Sequence, residues 1–329
     1  KANIKSDLFF DISPNPREDE VSVGCKKYKD GSHDAIIAIG GGSAMDGGKL
    51  ICLTANNDIP LRDFEFELTP PKISKDNPFP KIITIPTTAG TGAETEITAM
   101  VTYLKEGMKF CMWHPDARPV LALVDPELTL GLPPSLTAWT GVDAMVHAIE
   151  GYCVPGFNPL CDGSAIESLS LISKSLYLAV EEPKNLVARG GMHVGSYLGG
   201  VAFLKGLGLV HAISHMVGAE FNTQHGLTNA IILPVVLRYN LSGMDEKVKR
   251  MSEAMQFEDH SIEAFITNIE KMLDRLNIPK SLSEIGVPED CVERIAKKAM
   301  KDQAFATNPK IATLEEVKEM TLASIKKAR

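Results

Sequence analysis

The feature that most constrains the fold of this chain is an apolar run that leads directly into a glycine turn. Residues 35–39 are apolar and rich in isoleucine, as in strands that are covered on both faces. Gly40, Gly41 and Gly42 follow, and Ser43 with Asp46 resembles a helix capping box. We therefore predict a buried strand, a tight turn and a helix that starts immediately after the glycines.

Two further apolar runs, at residues 81–86 and 120–124, are separated by helix-length segments and predict a parallel sheet with crossover helices. After Pro133 the apolar residues follow helical spacing, most clearly over residues 262–276, and Thr313 with Glu316 forms a second capping-box pattern. We see no alternating strand pattern from residue 135 onward. The sequence thus predicts an α/β domain over residues 1–130 and an all-helical domain over residues 131–329.

Both glycine-containing turns are candidate anion sites. Backbone N–H groups at residues 40–42 can approach a pyrophosphate closely, and the N-terminus of the following helix adds a partial positive charge. The spacing is not the usual dinucleotide fingerprint, because Met45 stands where the third glycine would be. The loop over residues 87–92 also follows a predicted strand, and its threonine hydroxyls suit a phosphate or a ribose. A turn that binds no ligand is the alternative at both places.

Four histidines and one aspartate have spacing that suggests a metal site. Asp143 and His147 lie four residues apart on one helix face, as do His211 and His215, and His225 follows. Burying these polar groups on apolar helices is costly unless a cation compensates them. One carboxylate with neutral imidazoles suits Zn²⁺ or Fe²⁺ better than Ca²⁺ or Mg²⁺. The spacing does not decide whether His211 or His215 is the ligand, and satisfied core histidines are the alternative.

Composition narrows the class of protein further. The net charge is −8, with 34 Lys and Arg against 42 Asp and Glu, so nucleic-acid binding is not expected. Six scattered cysteines without a C-x-x-C pair predict reduced thiols in the cytoplasm. No apolar run approaches the ~18–20 residues that cross a bilayer, so no membrane association is expected.

Six segments together resemble the iron-containing (group III) alcohol dehydrogenase family. They occur in family order along most of the chain, which is far more specific than any one of them alone. The matching segments are residues 40–46, 86–92, 125–129, 141–150, 206–215 and 225–230.

The resemblance implies a dehydroquinate synthase-like fold, with an N-terminal dinucleotide-binding domain and an all-α domain that binds metal and substrate. It implies His215 as a catalytic residue that faces the nicotinamide and the substrate without binding the metal. The implied metal ligands are Asp143, His147, His211 and His225. The implied cofactor-binding residues are Gly41, Gly42, Ser43, Asp46, Thr87, Thr88, Thr91 and Lys109.

The implied activity is reversible hydride transfer between NAD or NADP and a small alcohol or aldehyde, assisted by Fe²⁺ (or Zn²⁺), in a homo-oligomer, expected to be a dimer. Two alternatives remain open. A carbon–oxygen lyase of the dehydroquinate synthase type would need several basic side chains near the metal segments, and Lys205 is the only one close to His211. A non-catalytic truncated relative is the other, because the family's first strand–helix–strand segment, which also distinguishes NAD from NADP, has no counterpart in this sequence.

Overall fold

A computed structural model describes residues 5–329 and divides the chain into two compact units. The first unit comprises Lys1–Pro86 with Ala93–Val124, and the second comprises Thr87–Gly92 with Asp125–Arg329. The first unit contains helices α1 (Glu18–Asp30) and α2 (Gly42–Ala55) and strands β1 (Ala35–Gly40), β2 (Lys81–Pro86), β3 (Thr98–Tyr103), β4 (Met108–Trp113) and β5 (Leu121–Ala122). The functional division at residues 130 and 131 stays a prediction.

The predicted parallel sheet is confirmed. Its strand order is β1-β2-β5, with Ala35 opposite Lys81 and Ile83 opposite Leu121. The helix after the glycines is confirmed as well, but the predicted capping box is wrong. Gly41 is the N-cap and makes no side-chain cap, and the Ser43 hydroxyl accepts a hydrogen bond from the Asn15 N–H at 3.3 Å. The helix starts inside the glycine run, so Ser43 lies within its first turn rather than at the cap.

The expectation that the first strand is covered on both faces is also wrong for the described residues. Ala38 is buried, whereas Ile37 and Ile39 are 58% and 59% exposed. One face of the sheet packs against α2 and includes Ile36 and Ala38, whereas Ile37 and Ile39 lie on the other face. The predicted crossover helix is present between β1 and β2 but is wrong for the connection from β2 to β5, which contains the antiparallel pair β3 and β4 instead of an α-helix.

A cluster of five charged side chains lies inside the first unit. The Lys49 side chain is 1% exposed, and its Nζ donates to the carbonyl oxygen of Thr98 at 2.8 Å. Burial raises the pKa of Asp46 to about 6 and that of Glu96 to about 8. Glu94 and Lys109 complete the cluster, with exposures of 2% and 8%. Burial raises the pKa of the Glu94 carboxyl as well, and the positive charge of Lys49 opposes the upward shift at all three carboxyl groups.

Replacing Glu96 by Gln is expected to make the protein more stable at alkaline pH. The folded state holds the Glu96 proton up to about pH 8, whereas the unfolded chain releases it near 4.5. The wild-type free energy of unfolding therefore falls as pH rises from 4.5 to 8. At pH 8 we expect the free energy of unfolding of Glu96→Gln, measured by urea denaturation, to exceed that of the wild type by about 1 kcal/mol or more. At pH 5 we expect little difference. The exposed Glu67→Gln is the control, and equal behaviour of the two variants at pH 8 would contradict the prediction.

The second unit is helical, and its described residues contain no strand, as predicted. The capping box at Thr313 and Glu316 is confirmed, with both of its hydrogen bonds formed. Helix α3 is the central element, since nearly every residue from Thr137 to Cys153 is buried. The helices are α3 (Pro134–Cys153), α4 (Pro159–Glu181), α5 (Leu186–Ala202), α6 (Leu209–Phe221), α7 (His225–Asn240), α8 (Asp245–Ala254), α9 (Ile262–Arg275), α10 (Val292–Ala299), α11 (Gln303–Ala306) and α12 (Leu314–Lys326).

Between residues 5 and 329, no single helix is both long and apolar enough to cross a membrane. The segments Leu186–Lys205 and Leu209–Phe221 meet the length and composition criteria only as a pair, and the pair is bent by 104°.

Candidate metal centre

Asp143, His147, His211 and His225 converge inside the second unit. Asp143 and His147 lie one turn apart on α3, His211 lies on α6 and His225 is the first residue of α7. The Asp143 Oδ1 atom is 3.9 Å from His147 Nε2, 3.9 Å from His211 Nε2 and 3.6 Å from His225 Nε2. One ligand atom from each of the four residues lies within 4.8 Å of every other.

These four side chains fit a divalent transition metal. Two ligands that are each about 2.1 Å from one ion are roughly 3–4 Å apart, depending on the angle between them. The separations from Asp143 Oδ1 fall in this range. Burial lowers the pKa of His147 to about 4, so its imidazole is neutral and offers a lone pair. One carboxylate and three imidazoles form a donor set that suits iron or zinc.

Two of the histidines are oriented by hydrogen bonds from their other ring nitrogen. His147 Nδ1 lies 3.2 Å from the carbonyl oxygen of Gly90, to which it can only donate. His211 Nδ1 lies 2.6 Å from Glu150 Oε2, and Glu150 Oε1 accepts the Val210 N–H at 2.8 Å. A proton on Nδ1 leaves the lone pair on Nε2, which faces the other ligands.

Glu150 was not recognised from the sequence as part of the site, although a signal was available. It lies seven residues after Asp143 and three after His147, so all three share one face of α3. The position of Glu150 on this buried face is the signal from which a role in orienting a metal ligand could have been predicted.

His215 lies beside the cluster but outside the group of four ligand atoms. Its ring is 5.6 Å from that of His211 and 5.5 Å from that of His225, measured between centroids. Its Nδ1 lies 2.9 Å from the Oδ2 of Asp302, a carboxylate that is 7% exposed. The structure thus groups His211 with the other proposed ligands and gives His215 a different partner.

The close approach of α7 to α3 depends on Gly226, which follows His225. A Cβ atom at this position would lie 2.4 Å from the Trp139 carbonyl oxygen and 3.0 Å from the Asp143 Cβ. The loop Thr87–Gly92 approaches α3 in a similar way, because a Cβ at Gly90 would lie 2.6 Å from the Thr140 carbonyl oxygen. Glycine at these two positions therefore lets α7 and the loop Thr87–Gly92 pack closely against α3, which carries Asp143 and His147.

Replacing Gly226 by Ala is expected to disrupt the metal centre and to destabilise the protein. The methyl group meets a backbone carbonyl, so α7 must shift, at a cost of about 1–3 kcal/mol. We expect reduced metal content together with a lower urea midpoint. Gly163→Ala on α4 is the matched control, since its Cβ would meet nothing within 4 Å and should slightly stabilise the helix. Normal metal content in Gly226→Ala would show that the close approach is unnecessary.

The proposed cofactor-binding residues are divided between the two units. In the first unit, Gly41 and Gly42 begin α2 and are half-buried, and Asp46 and Lys109 belong to the charged cluster. Ser43 lies in the first turn of α2. In the second unit, the half-buried residues Thr87, Thr88 and Thr91 lie in the loop that also carries Gly90.

Comparison with known proteins finds the same family at both ends of the chain. The sequence profile for iron-containing alcohol dehydrogenase matches residues 1–126, and that for the C-terminal part of the Fe-containing alcohol dehydrogenase family matches residues 137–325. The chain is 34% identical over 327 residues to an NAD-dependent methanol dehydrogenase of Bacillus methanolicus, covering 97% of this chain and 84% of the relative. It is 36% identical over 322 residues to a lactaldehyde reductase of Escherichia coli, covering 95% and 82%.

A solved structure of a 1,3-propanediol oxidoreductase is similar with a TM-score of 0.91 and 32% identity, covering 97% of this chain and 84% of that one. The α/β unit, the helical unit and the four converging side chains of the candidate metal site, together with these relatives, define an oxidoreductase. The chain belongs to the iron-containing alcohol dehydrogenase family.

Proposed function

We propose that the protein transfers a hydride reversibly between a nicotinamide cofactor and a small alcohol or carbonyl compound. The observation that carries this proposal is the convergence of Asp143, His147, His211 and His225 on one point. The methanol dehydrogenase relative is NAD-dependent by name, which supports NAD as the cofactor. NADP remains the alternative to be tested.

The proposed cofactor contacts use backbone and hydroxyl groups. At the start of α2, the N–H groups of Gly42 and Ser43 carry the positive end of the helix dipole, which suits a diphosphate. The hydroxyls of Thr87, Thr88 and Thr91 are proposed to line the cofactor in the second unit. Lys109 is proposed to contact the ribose, and Asp46 to stabilise the first turn of α2 from within the charged cluster.

In the proposed reaction, His215 moves the substrate's proton or orients the nicotinamide, and Phe203 borders the substrate. A bound Fe²⁺ or Zn²⁺ supplies a Lewis acid that stabilises negative charge on the substrate oxygen. His215, held at Nδ1 by Asp302, presents its other ring nitrogen for proton relay or for orienting the nicotinamide amide. Phe203 lies against the His147 ring, with centroids 4.8 Å apart, and is proposed to border the substrate.

The lyase alternative would need a basic side chain that is available to bind its substrate, and Lys205 is not available. Lys205 is bound to the Asp162 carboxylate and lies 3.4 Å from the Tyr152 carbonyl oxygen. Its charge is therefore already paired within the helical unit.

The proposed function is tested with a panel of small primary alcohols, diols, hydroxy acids and aldehydes, each with NAD(H) and NADP(H). Absorbance of the reduced nicotinamide reports turnover, and elemental analysis of anaerobically purified protein identifies the metal. We expect turnover with at least one alcohol and one ion per chain. No turnover with any substrate, or no bound metal, would reject the proposal.

Two further proposals concern location and assembly. The six cysteines are free thiols, which fits a reducing compartment such as the cytoplasm. We also propose a homo-oligomer, expected to be a dimer, which light scattering on the purified protein would test.

A further inference from the structure

We propose that Asn229 is a positioning residue of the metal centre: its amide holds the Asp143 carboxylate and keeps His211 and His225 in the tautomer whose Nε2 carries the lone pair that binds metal. This inference rests on the proposed function, because it assumes that the four converging side chains bind a metal. The observation behind it is a fully buried amide directed at three of the four ligand atoms.

The sequence places Asn229 on the same face of α7 as His225, four residues later. The side chain is 0% exposed. Its Nδ2 atom is 2.7 Å from Asp143 Oδ1, 3.1 Å from His211 Nε2 and 3.1 Å from His225 Nε2. One nitrogen atom therefore contacts ligand atoms from three different helices.

The contact with the amide nitrogen selects the tautomer of His211 and His225. An NH₂ group only donates, so His211 Nε2 and His225 Nε2 must accept when they bond to it. Accepting nitrogens carry lone pairs, which is the form that binds a metal. The Glu150 contact at His211 Nδ1 favours the same tautomer from the other side of the ring.

The contact with Asp143 is the shortest of the three and is compatible with a bound ion. A carboxylate oxygen has two lone-pair directions, so Oδ1 can accept from Asn229 and still bind a metal. Each Nε2 atom has a single in-plane lone pair, which a bound ion would take over from Asn229, so the contact with Asp143 is the one that can persist in the loaded site.

The opposite end of the same amide argues against a purely structural role. Asn229 Oδ1 is buried and has no hydrogen-bond partner among residues 5–329. A buried carbonyl without a partner is unfavourable, because it has lost its hydrogen bonds to water and gained none in the protein. An apolar side chain could fill the same space without this unpaired carbonyl. The N–H donors of Asn229 are therefore the feature that distinguishes it from a packing residue.

The test compares Co²⁺ binding in wild-type protein and Asn229→Ala by chelator competition, with the visible Co²⁺ spectrum as a readout of ligand geometry. We expect the dissociation constant of Asn229→Ala to rise by about 10–100-fold, with an altered spectrum. Thr228→Val is the matched control, because Thr228 is equally buried on α7 and its hydroxyl bonds to Thr223 and Gln224 rather than to a proposed ligand. We expect this control to keep the wild-type constant within about twofold and to keep the wild-type spectrum.

A second variant covers the case in which Asn229→Ala does not fold. Asn229→Leu keeps a similar volume but lacks both N–H donors, so added Co²⁺ should raise its melting temperature less than that of the wild type. Wild-type affinity and spectrum in Asn229→Ala, or a wild-type temperature increment in Asn229→Leu, would overturn the role of Asn229. Failure of the wild type to bind Co²⁺ would instead overturn the proposed function, and this inference with it.

Discussion

Asp143→Asn is expected to lose its metal and nearly all of its turnover. Asp143 is the only formally negative ligand of the proposed set, and its Oδ1 lies 3.6–3.9 Å from the Nε2 atoms of all three histidines. Asparagine has the same shape but no charge. A divalent ion would then be held by three neutral imidazoles in a buried site, where an uncompensated charge is very costly.

We expect metal content below one tenth of the wild-type value and turnover at least about 10³-fold lower. Elemental analysis and the nicotinamide assay measure these effects. Asp162→Asn is the control, because Asp162 lies in the same unit and pairs with Lys205 rather than with a proposed ligand. Full metal content in Asp143→Asn would remove Asp143 from the ligand set.

His215→Ala is expected to separate catalysis from metal binding. His215 lies outside the group of ligand atoms, and its Nδ1 is bound to Asp302. Removing the imidazole should therefore leave the ion in place and eliminate only its contribution to proton transfer or nicotinamide orientation. General acid–base groups typically contribute about 10²–10⁴-fold to the rate, and we expect kcat to fall within that range.

His193→Ala is the matched control for His215→Ala. His193 is 1% exposed on α5, and neither of its ring nitrogens has a hydrogen-bond partner within residues 5–329. Burial lowers its pKa to about 4, so it is a neutral core residue at physiological pH. We expect this variant to keep its metal and its kcat. Loss of metal in His215→Ala to the level of Asp143→Asn would identify His215 as a ligand, and an unchanged kcat would exclude a catalytic role.

The elements that were predicted correctly have local causes. The strand at residues 35–40, the helix after the glycines and the cap at Thr313 all follow from residues within a few positions of each other. The antiparallel pair β3 and β4 was missed because its strands lack a regular alternation of apolar and polar residues. The exposed face of β1 was missed because an isoleucine-rich run looks the same whether one face is covered or both are.

At the metal centre, helical spacing alone placed Asp143 with His147 and left the choice between His211 and His215 open. That choice depends on Glu150, which contacts His211 across 61 positions, and on Asp302, which contacts His215 across 87 positions. Asn229 contacts Asp143 across 86 positions and had no local signal beyond its distance from His225. Residue spacing reports which side chains share a helix face, because helix geometry is the same in every protein. Which faces meet depends on packing between distant helices, and at this site that packing depends on the absence of a Cβ atom at Gly90 and Gly226.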